Sequence, residues 1–192
     1  MNETLFILGR EPELSVAELE SAMTPFAGKV DVVTSEVALV THQQPLPDHF
    51  LDRLGGSIKQ VMVLDRWPLQ QNIVGTLIEK LTASWVSRLF SDGGRIEFGL
   101  SIYGASNSER AAANRQGLRL KKDLAGTGRP VRYVISREPQ LSSVMVKKNG
   151  LLKKGNEFVI VKTKDELIIG ITLAVQDFEM YGLRDFGRPA AD

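Results

Sequence analysis

Lysine and arginine are distributed unevenly along this chain of 192 residues. Residues 107–164 contain 14 Lys and Arg against 4 Asp and Glu, whereas residues 1–106 contain 8 against 13 and residues 165–192 contain 2 against 6. The formal net charge of +1 therefore conceals a segment with a charge of +10. A local excess of this size is typical of a surface that binds a polyanion, because each phosphate neutralised by Lys or Arg releases condensed counterions.

A long helix predicted from Asn107 to Leu124 displays part of this charge as a stripe. Arg115, Arg119 and Lys122 are spaced at i, i+4 and i+7, so they share one helical face, and Lys121 flanks them. Further basic side chains are predicted at the ends of neighbouring elements: Arg129, Arg132, Lys147, Lys148, Lys153 and Lys154. We expect these ten side chains to contact the phosphate backbone of a nucleic acid. The alternative is a basic surface that serves only solubility.

Aromatic side chains that could stack on bases are few around this segment. Tyr103 and Tyr133 fall within predicted strands, where a place in the sheet is a better interpretation than a stacking platform. We therefore expect recognition through backbone and shape, and not through base-by-base readout.

Residues that could carry out catalysis are scarce. The chain has no cysteine, which excludes disulfides, iron–sulfur clusters and thiolate zinc sites. We expect His42 and His49 to be satisfied surface histidines, because no metal-ligand spacing surrounds them. There is no dinucleotide fingerprint, phosphate loop or nucleophile elbow, and the Gly-Thr-Gly of residues 126–128 is expected to end a helix. We predict no catalytic residue, metal ligand or cofactor site in this chain.

The first 68 residues predict an α+β unit with the order β-α-β-β-α-β, the ferredoxin-like arrangement. Ser15 and Glu18 have the spacing of a capping box, which predicts the start of the first helix there. A second helix is predicted over Pro47–Leu54, before Gly55-Gly56. The strands are predicted at Thr4–Leu8, Lys29–Thr34, Val37–Thr41 and Ile58–Leu64.

The pattern restarts after a boundary near Trp67–Asn72 and predicts an independent α/β layer structure. Its helices are predicted at Asn72–Phe90, Asn107–Leu124 and Leu141–Lys148. Its strands are predicted at Ile96–Tyr103, Val131–Ser136, Phe158–Lys162 and Leu167–Ala174.

The hydropathy pattern predicts a soluble protein without a membrane partner. No stretch approaches the roughly 18 uninterrupted apolar residues of a membrane helix. The amino terminus carries acids where a signal peptide needs a basic start, so we expect a cytoplasmic location.

Four stretches resemble tRNA guanosine-N2-methyltransferases of the archaeal and eukaryotic type. They are Phe6–Leu19, Ser101–Gly104, Leu141–Val144 and Val175–Pro189. The first stretch is similar to the Gly-Arg/Asn-x-Pro-Glu-Leu-Ser-x-Ala-Glu-Leu with which members of that family begin. The last stretch is the most specific, because in the family it forms the linker from a THUMP domain into a Rossmann-like domain that uses S-adenosylmethionine.

This resemblance implies a ferredoxin-like domain at residues 1–68, a THUMP RNA-binding domain at 69–174 and a linker at 175–192 toward a methyltransferase domain that the chain does not contain. It implies tRNA as the partner, held at the 3′ end of its acceptor stem, and a catalytic domain of the same protein that binds S-adenosylmethionine. The RNA-contacting role carries over to the Arg115–Lys122 helix and the Lys147–Lys154 segment. The alternative is a protein-interaction or regulatory module without an RNA role.

Overall fold

Eight strands form one mixed sheet in the computed structural model of this chain, which describes residues 1–69, 94–126, 128–138 and 140–177. The strand order across the sheet is β2-β3-β1-β4-β8-β7-β5-β6. Strand β5 pairs with β6 and with β7 in parallel, and the other neighbours are antiparallel. The strands are β1 Asn2–Leu8, β2 Lys29–Thr34, β3 Val37–His42, β4 Ser57–Pro68, β5 Ile96–Tyr103, β6 Val131–Val134, β7 Asn156–Lys162 and β8 Glu166–Val175.

Three α-helices lie in the described part of the chain, and the predicted mixture of helices and strands is confirmed. They are α1 Pro12–Met23, α2 Asn107–Ala125 and α3 Ser143–Lys148. The helix predicted over Pro47–Leu54 is a single 3-10 turn at Phe50–Arg53, entered from His49 in the left-handed conformation (φ 60°). The helix predicted at Asn72–Phe90 lies outside the described residues. Among the helices that are described, none has the length and apolar content needed to cross a bilayer.

The predicted capping box at the start of α1 is wrong. Helix α1 begins at Pro12, three residues earlier, and no side chain caps its amino end. The Ser15 hydroxyl instead donates to the carbonyl oxygen of Gly56 at 2.7 Å, and the Glu18 carboxylate accepts the amides of Gly55 and Gly56 at 2.7 and 2.8 Å. Ser15 and Glu18, residue types that often bond to the unpaired amides at the start of a helix, therefore stabilise the turn that precedes β4.

Strands β4 and β8 join the two halves of the chain. Their antiparallel ladder runs from the Lys59–Val175 pair to the Pro68–Glu166 pair, with two bulges. Strand β4 is longer than the predicted Ile58–Leu64 because β1 pairs with its first part and β8 continues the pairing to its end. The division into two domains stays a prediction, but both predicted domains contribute strands to one sheet.

Helix α2 packs on β5 and β6 through one side of small and aliphatic residues. These are Ala113, Gly117, Leu120 and Leu124. A Cβ atom on Gly117 would lie 2.5 Å from the ring of Tyr133, so the glycine permits a close approach of the helix. That ring is stacked on Phe98, with 4.8 Å between centroids. The opposite side of α2 therefore faces solvent.

Candidate nucleic-acid interface

The amino ends of β5, β6 and β7 form one edge of the sheet, because these neighbouring strands are parallel. The chain returns to this edge after α2, where the amide of Ile96 donates to the carbonyl oxygen of Pro130 at 2.9 Å. Helix α3 also ends there, since the Nη2 of Arg132 donates to the side-chain oxygen of Asn149. The following side chains lie at this edge, which we call the basic edge: Lys121, Lys122, Arg129, Arg132, Lys147, Lys148, Lys153 and Lys154.

Arg115 and Arg119 extend the basic edge along α2. At about 100° per residue, they and Lys122 lie roughly opposite the buried side of the helix. All three are exposed. The stripe predicted from the sequence is therefore present on the solvent side of α2.

Two pairs of lysines at the basic edge also suit the helix ends that carry them. Lys121 and Lys122 lie near the carboxyl end of α2, and Lys147 and Lys148 end α3. Cations in the last turn of a helix interact favourably with its dipole, by about 0.3–1 kcal/mol each. The helix dipole thus accounts for part of the charge at this edge, but not for the charges in the middle of α2 or in the loop after α3.

The loop after α3 brings Lys153 and Lys154 to the basic edge. The carbonyl oxygen of Gly150 accepts the amides of Lys153, Lys154 and Gly155 at 3.0, 2.9 and 3.2 Å, which makes the loop compact. A Cβ atom on Gly155 would lie 2.4 Å from the backbone oxygen of Glu97, so the loop packs directly on the start of β5. The two lysines are exposed on this compact loop.

Three of the ten basic residues predicted as binding residues have partners within the protein. Arg129 donates to the carbonyl oxygen of Gly94 at 3.0 and 2.7 Å, Arg132 donates to Asn149 at 2.5 Å, and Lys147 forms an ion pair with Asp177. The others make no ion pair or side-chain hydrogen bond with any residue that the structure describes: Arg115, Arg119, Lys121, Lys122, Lys148, Lys153 and Lys154. Since all of these are exposed, their donors are accessible to a ligand.

Arg95 is a basic residue of this edge that the sequence analysis missed. It directly precedes β5, and its side chain is 58% exposed. Its Nε lies 3.2 Å from the carboxylate of Glu97. Its position immediately before a well-defined strand could have indicated its place at this edge. The charge analysis missed it because Arg95 belongs to residues 1–106, whose net charge is negative.

The two tyrosines near the basic segment are sheet residues, as expected. Tyr103 and Tyr133 are buried, and the Tyr133 hydroxyl donates to the side-chain oxygen of Asn114 at 3.1 Å. Burial raises the pKa of both phenols. Neither ring is placed to stack on a base.

The prediction for the two histidines is correct for one and wrong for the other. His49 is exposed, with its Nδ1 3.0 Å from Asp52. His42 is buried and not at the surface. Both of its ring nitrogens have partners, because Nε2 lies 3.0 Å from the Thr4 hydroxyl and Nδ1 lies 2.6 Å from the carbonyl oxygen of Gln44. The described residues contain no group of three or more His, Cys, Asp or Glu that could hold a metal ion.

A buried ion pair connects the first half of the chain to the strands of the basic edge. The side chains of Lys59 on β4 and Glu157 on β7 are 1% and 0% exposed, and 2.5 Å separates their charged atoms. Lys59 also donates to the carbonyl oxygen of Leu141 at 2.6 Å. The carboxylate of Glu157 accepts the hydroxyls of Ser101 and Thr172 at 2.5 Å each. The network therefore joins β4, β5, β7, β8 and the segment that leads into α3.

Burial dominates the electrostatics of this network. Removal from water lowers the pKa of the Lys59 ammonium, although the attraction of Glu157 and the hydrogen bond to it act in the opposite direction. A buried charge of this kind is tolerated only when hydrogen bonds satisfy its remaining donors or acceptors. Here the Leu141 carbonyl and the two hydroxyls provide those partners.

The amino end of α2, at the opposite end of the helix from the basic edge, carries an acidic residue with a strongly lowered pKa. The Glu109 carboxylate accepts a hydrogen bond from Lys162 at 2.5 Å and another from the amide of Ser106 at 2.8 Å. These bonds lower the pKa of Glu109 from 4.5 to about 2. Ser106 completes a capping box with Glu109 at this helix start.

The lowered pKa of Glu109 predicts a pH-dependent contribution to stability. A carboxyl whose pKa is lower in the folded state stabilises the fold above pH 4.5 and loses this effect as the pH falls toward 2. We expect Glu109→Gln to reduce the free energy of unfolding by a constant amount above about pH 5, and by progressively less below pH 4.5. Urea unfolding of both proteins between pH 3 and pH 7 measures this difference. A difference that is unchanged down to pH 3 would contradict the assignment.

Comparison with known proteins shows a likeness in structure and none in sequence. No family model matches the chain, and no curated protein sequence matches it. The match with TrmN from Thermus thermophilus covers 95% of this chain and 50% of the TrmN chain, with a TM-score of 0.57 and 16% sequence identity. The match with PH1313 from Pyrococcus horikoshii Ot3 covers 89% of this chain and 54% of the PH1313 chain, with a TM-score of 0.49 and 8% sequence identity. The match with a predicted N6-adenine-specific DNA methylase from Listeria monocytogenes covers 100% of this chain and 45% of the methylase chain, with a TM-score of 0.49 and 10% sequence identity. The chain thus spans about half the length of these structures and shares the fold of the part of TrmN that it covers.

Proposed function

We propose that this chain is the RNA-binding part of a tRNA methyltransferase and holds the 3′ end of the acceptor stem. In this proposal the phosphate backbone lies along the basic edge and the Arg115–Lys122 stripe. The observation that carries the proposal is the set of seven exposed basic side chains, on α2, α3 and the following loop, that have no partner among the described residues. Unpaired Lys and Arg side chains that lie together on several elements suit a polyanion better than a small acid.

The kind of nucleic-acid contact follows from the residue types at this surface. Most of its exposed charged side chains are cationic, and the nearby tyrosines are buried. Lys and Arg bind phosphates without reading sequence, whereas base recognition in single strands relies on exposed aromatic rings. We therefore assign this surface to holding and positioning the RNA, with the choice of the modified nucleotide made elsewhere.

The methyltransferase part of the proposal rests on other observations. Residues Val175–Pro189 resemble the linker into the catalytic domain of tRNA guanosine-N2-methyltransferases. The fold shared with about half of the TrmN chain is compatible with that resemblance. Binding of S-adenosylmethionine and transfer to a guanosine N2 belong, in this proposal, to a catalytic domain outside this chain.

Titration of the 192-residue chain with fluorescently labelled tRNA tests the proposal. If three or more phosphates are contacted, the logarithm of the binding constant should fall with the logarithm of salt concentration with a slope steeper than about −2. Removal of the terminal CCA should weaken binding at every salt concentration. Fluorescence polarisation between 50 and 300 mM KCl measures both effects.

Three results would contradict the proposal. Binding that is insensitive to salt would exclude the basic edge as the contact surface. Equal affinity for tRNA with and without the CCA would exclude the acceptor end as the bound part. The absence of any tRNA binding would favour the alternative, a protein-interaction or regulatory module.

A further inference from the structure

Two arginines lie on either side of one carboxylate at the start of β5. The Oε1 of Glu97 is 3.2 Å from the Nε of Arg95 and 3.9 Å from the Nη1 of Arg132, so these two nitrogens are no more than about 7 Å apart. Glu97 and Arg132 are register partners on the parallel strands β5 and β6. The pairing of the strands therefore fixes the backbone positions from which Glu97 and Arg132 extend.

The two acceptors of this cluster, Glu97 and Asn149, are fixed by contacts within the protein, whereas the two arginines are exposed to solvent. The side chain of Glu97 is 12% exposed and packs under Gly155, whereas those of Arg95 and Arg132 are 58% and 44% exposed. The side-chain oxygen of Asn149 accepts a hydrogen bond from the Nη2 of Arg132 at 2.5 Å. The side-chain nitrogen of Asn149 donates to the carbonyl oxygen of Met145, a residue of α3, at 2.8 Å.

We propose that Arg95 and Arg132 together bind one phosphate group of the RNA, with Glu97 and Asn149 as positioning residues. This inference rests on the proposed function. A guanidinium group carries five N–H donors in a fixed fork, so each arginine keeps free donors after it has bonded to its positioning residue. Two forks held within about 7 Å of each other suit a phosphate, which accepts paired hydrogen bonds.

Glu97 allows positioning to be separated from net charge. If charge alone mattered, any neutral residue at position 97 would strengthen RNA binding, because a negative charge next to the RNA is lost. If Glu97 positions the arginines through its polar contacts with them at 3.2 and 3.9 Å, a neutral polar residue at this position differs from an apolar one. Glu97→Gln and Glu97→Leu have the same charge, and only glutamine keeps an oxygen that can contact Arg95 and Arg132.

The experiment measures tRNA affinity of these two variants in the 192-residue chain at 100 mM KCl. We expect Glu97→Leu to bind roughly tenfold more weakly than Glu97→Gln, since Arg95 is then no longer held in place before binding and Arg132 keeps only its hydrogen bond to Asn149. The charge-matched control is Asp123→Asn on α2, which removes an exposed acid with no partner among the described residues and should bind at least as tightly as the unchanged chain.

Equal affinities of the two Glu97 variants would overturn this inference and leave the proposed function intact, whereas no tRNA binding by the unchanged chain would overturn both. If Glu97→Leu shows no cooperative urea transition, the double variant Arg95→Lys, Arg132→Lys provides the test, because it keeps both charges and removes both forks. We expect this variant to lose roughly tenfold in affinity. A loss of less than twofold would overturn the inference.

Discussion

Replacing Glu157 with leucine is expected to lower the free energy of unfolding by about 3–5 kcal/mol. The substitution leaves the ammonium group of Lys59 buried without its counter-charge. It also removes the acceptor of the Ser101 and Thr172 hydroxyls. The attraction between the two charges offsets the cost of removing them from water only while both are present, so the loss of one is far more harmful than the loss of both.

Urea unfolding followed by circular dichroism measures this loss. The double variant Lys59→Met, Glu157→Leu should recover part of the stability, because no charge then remains buried. The control is Arg66→Met, which breaks the exposed ion pairs of Arg66 with Glu3 and Glu166 and should cost about 1 kcal/mol or less. If Glu157→Leu costs no more than this control, the buried pair does not stabilise the sheet as inferred.

Reversing the charges of Arg115, Arg119 and Lys122 to glutamate is expected to weaken tRNA binding by about 100-fold or more. Three phosphate contacts are lost, and three negative charges now repel the backbone. The slope of log affinity against log salt concentration should become shallower by about 2 to 3, at 0.7–0.9 for each lost contact. These side chains point away from the buried side of α2, so the fold should be retained.

A matched triple variant separates this local effect from the change in net charge. Arg10→Glu, Arg53→Glu and Lys164→Glu alter the net charge by the same amount at exposed residues that lack partners in the described part of the chain and lie outside α2, α3 and the loop after α3. We expect this variant to bind tRNA much more tightly than the α2 variant. Similar losses in the two variants would mean that overall charge, and not the α2 stripe, determines binding.

Local sequence patterns predicted most elements because their causes are local. The sequence predicts β5 over Ile96–Tyr103, with the bounds that the structure has. The capping-box pattern shows where local reasoning ends. Ser106 and Glu109 form a capping box at the start of α2, whereas Ser15 and Glu18 have the same spacing and bond to the turn before β4. A contact with residues about forty positions away decided between the two outcomes.

The candidate site could be predicted only in part, for the same reason. Composition identified the ten basic residues, and helical spacing identified the α2 stripe. That α2, α3 and the loop after it meet at one edge depends on the parallel pairing of β5 with both β6 and β7, which no local pattern reveals. Lys59 and Glu157 are 98 positions apart, so neither indicates its partner in a single sequence.

The ladder between β4 and β8 determines how the described parts of the two halves move. Separate domains joined by a linker usually reorient relative to each other. Here such a rotation would have to break the pairs from Lys59–Val175 to Pro68–Glu166. The described portions of both halves should therefore tumble in solution as one particle with a single rotational correlation time. An RNA held at the basic edge would therefore keep a fixed orientation relative to α1, which belongs to the other half of the chain.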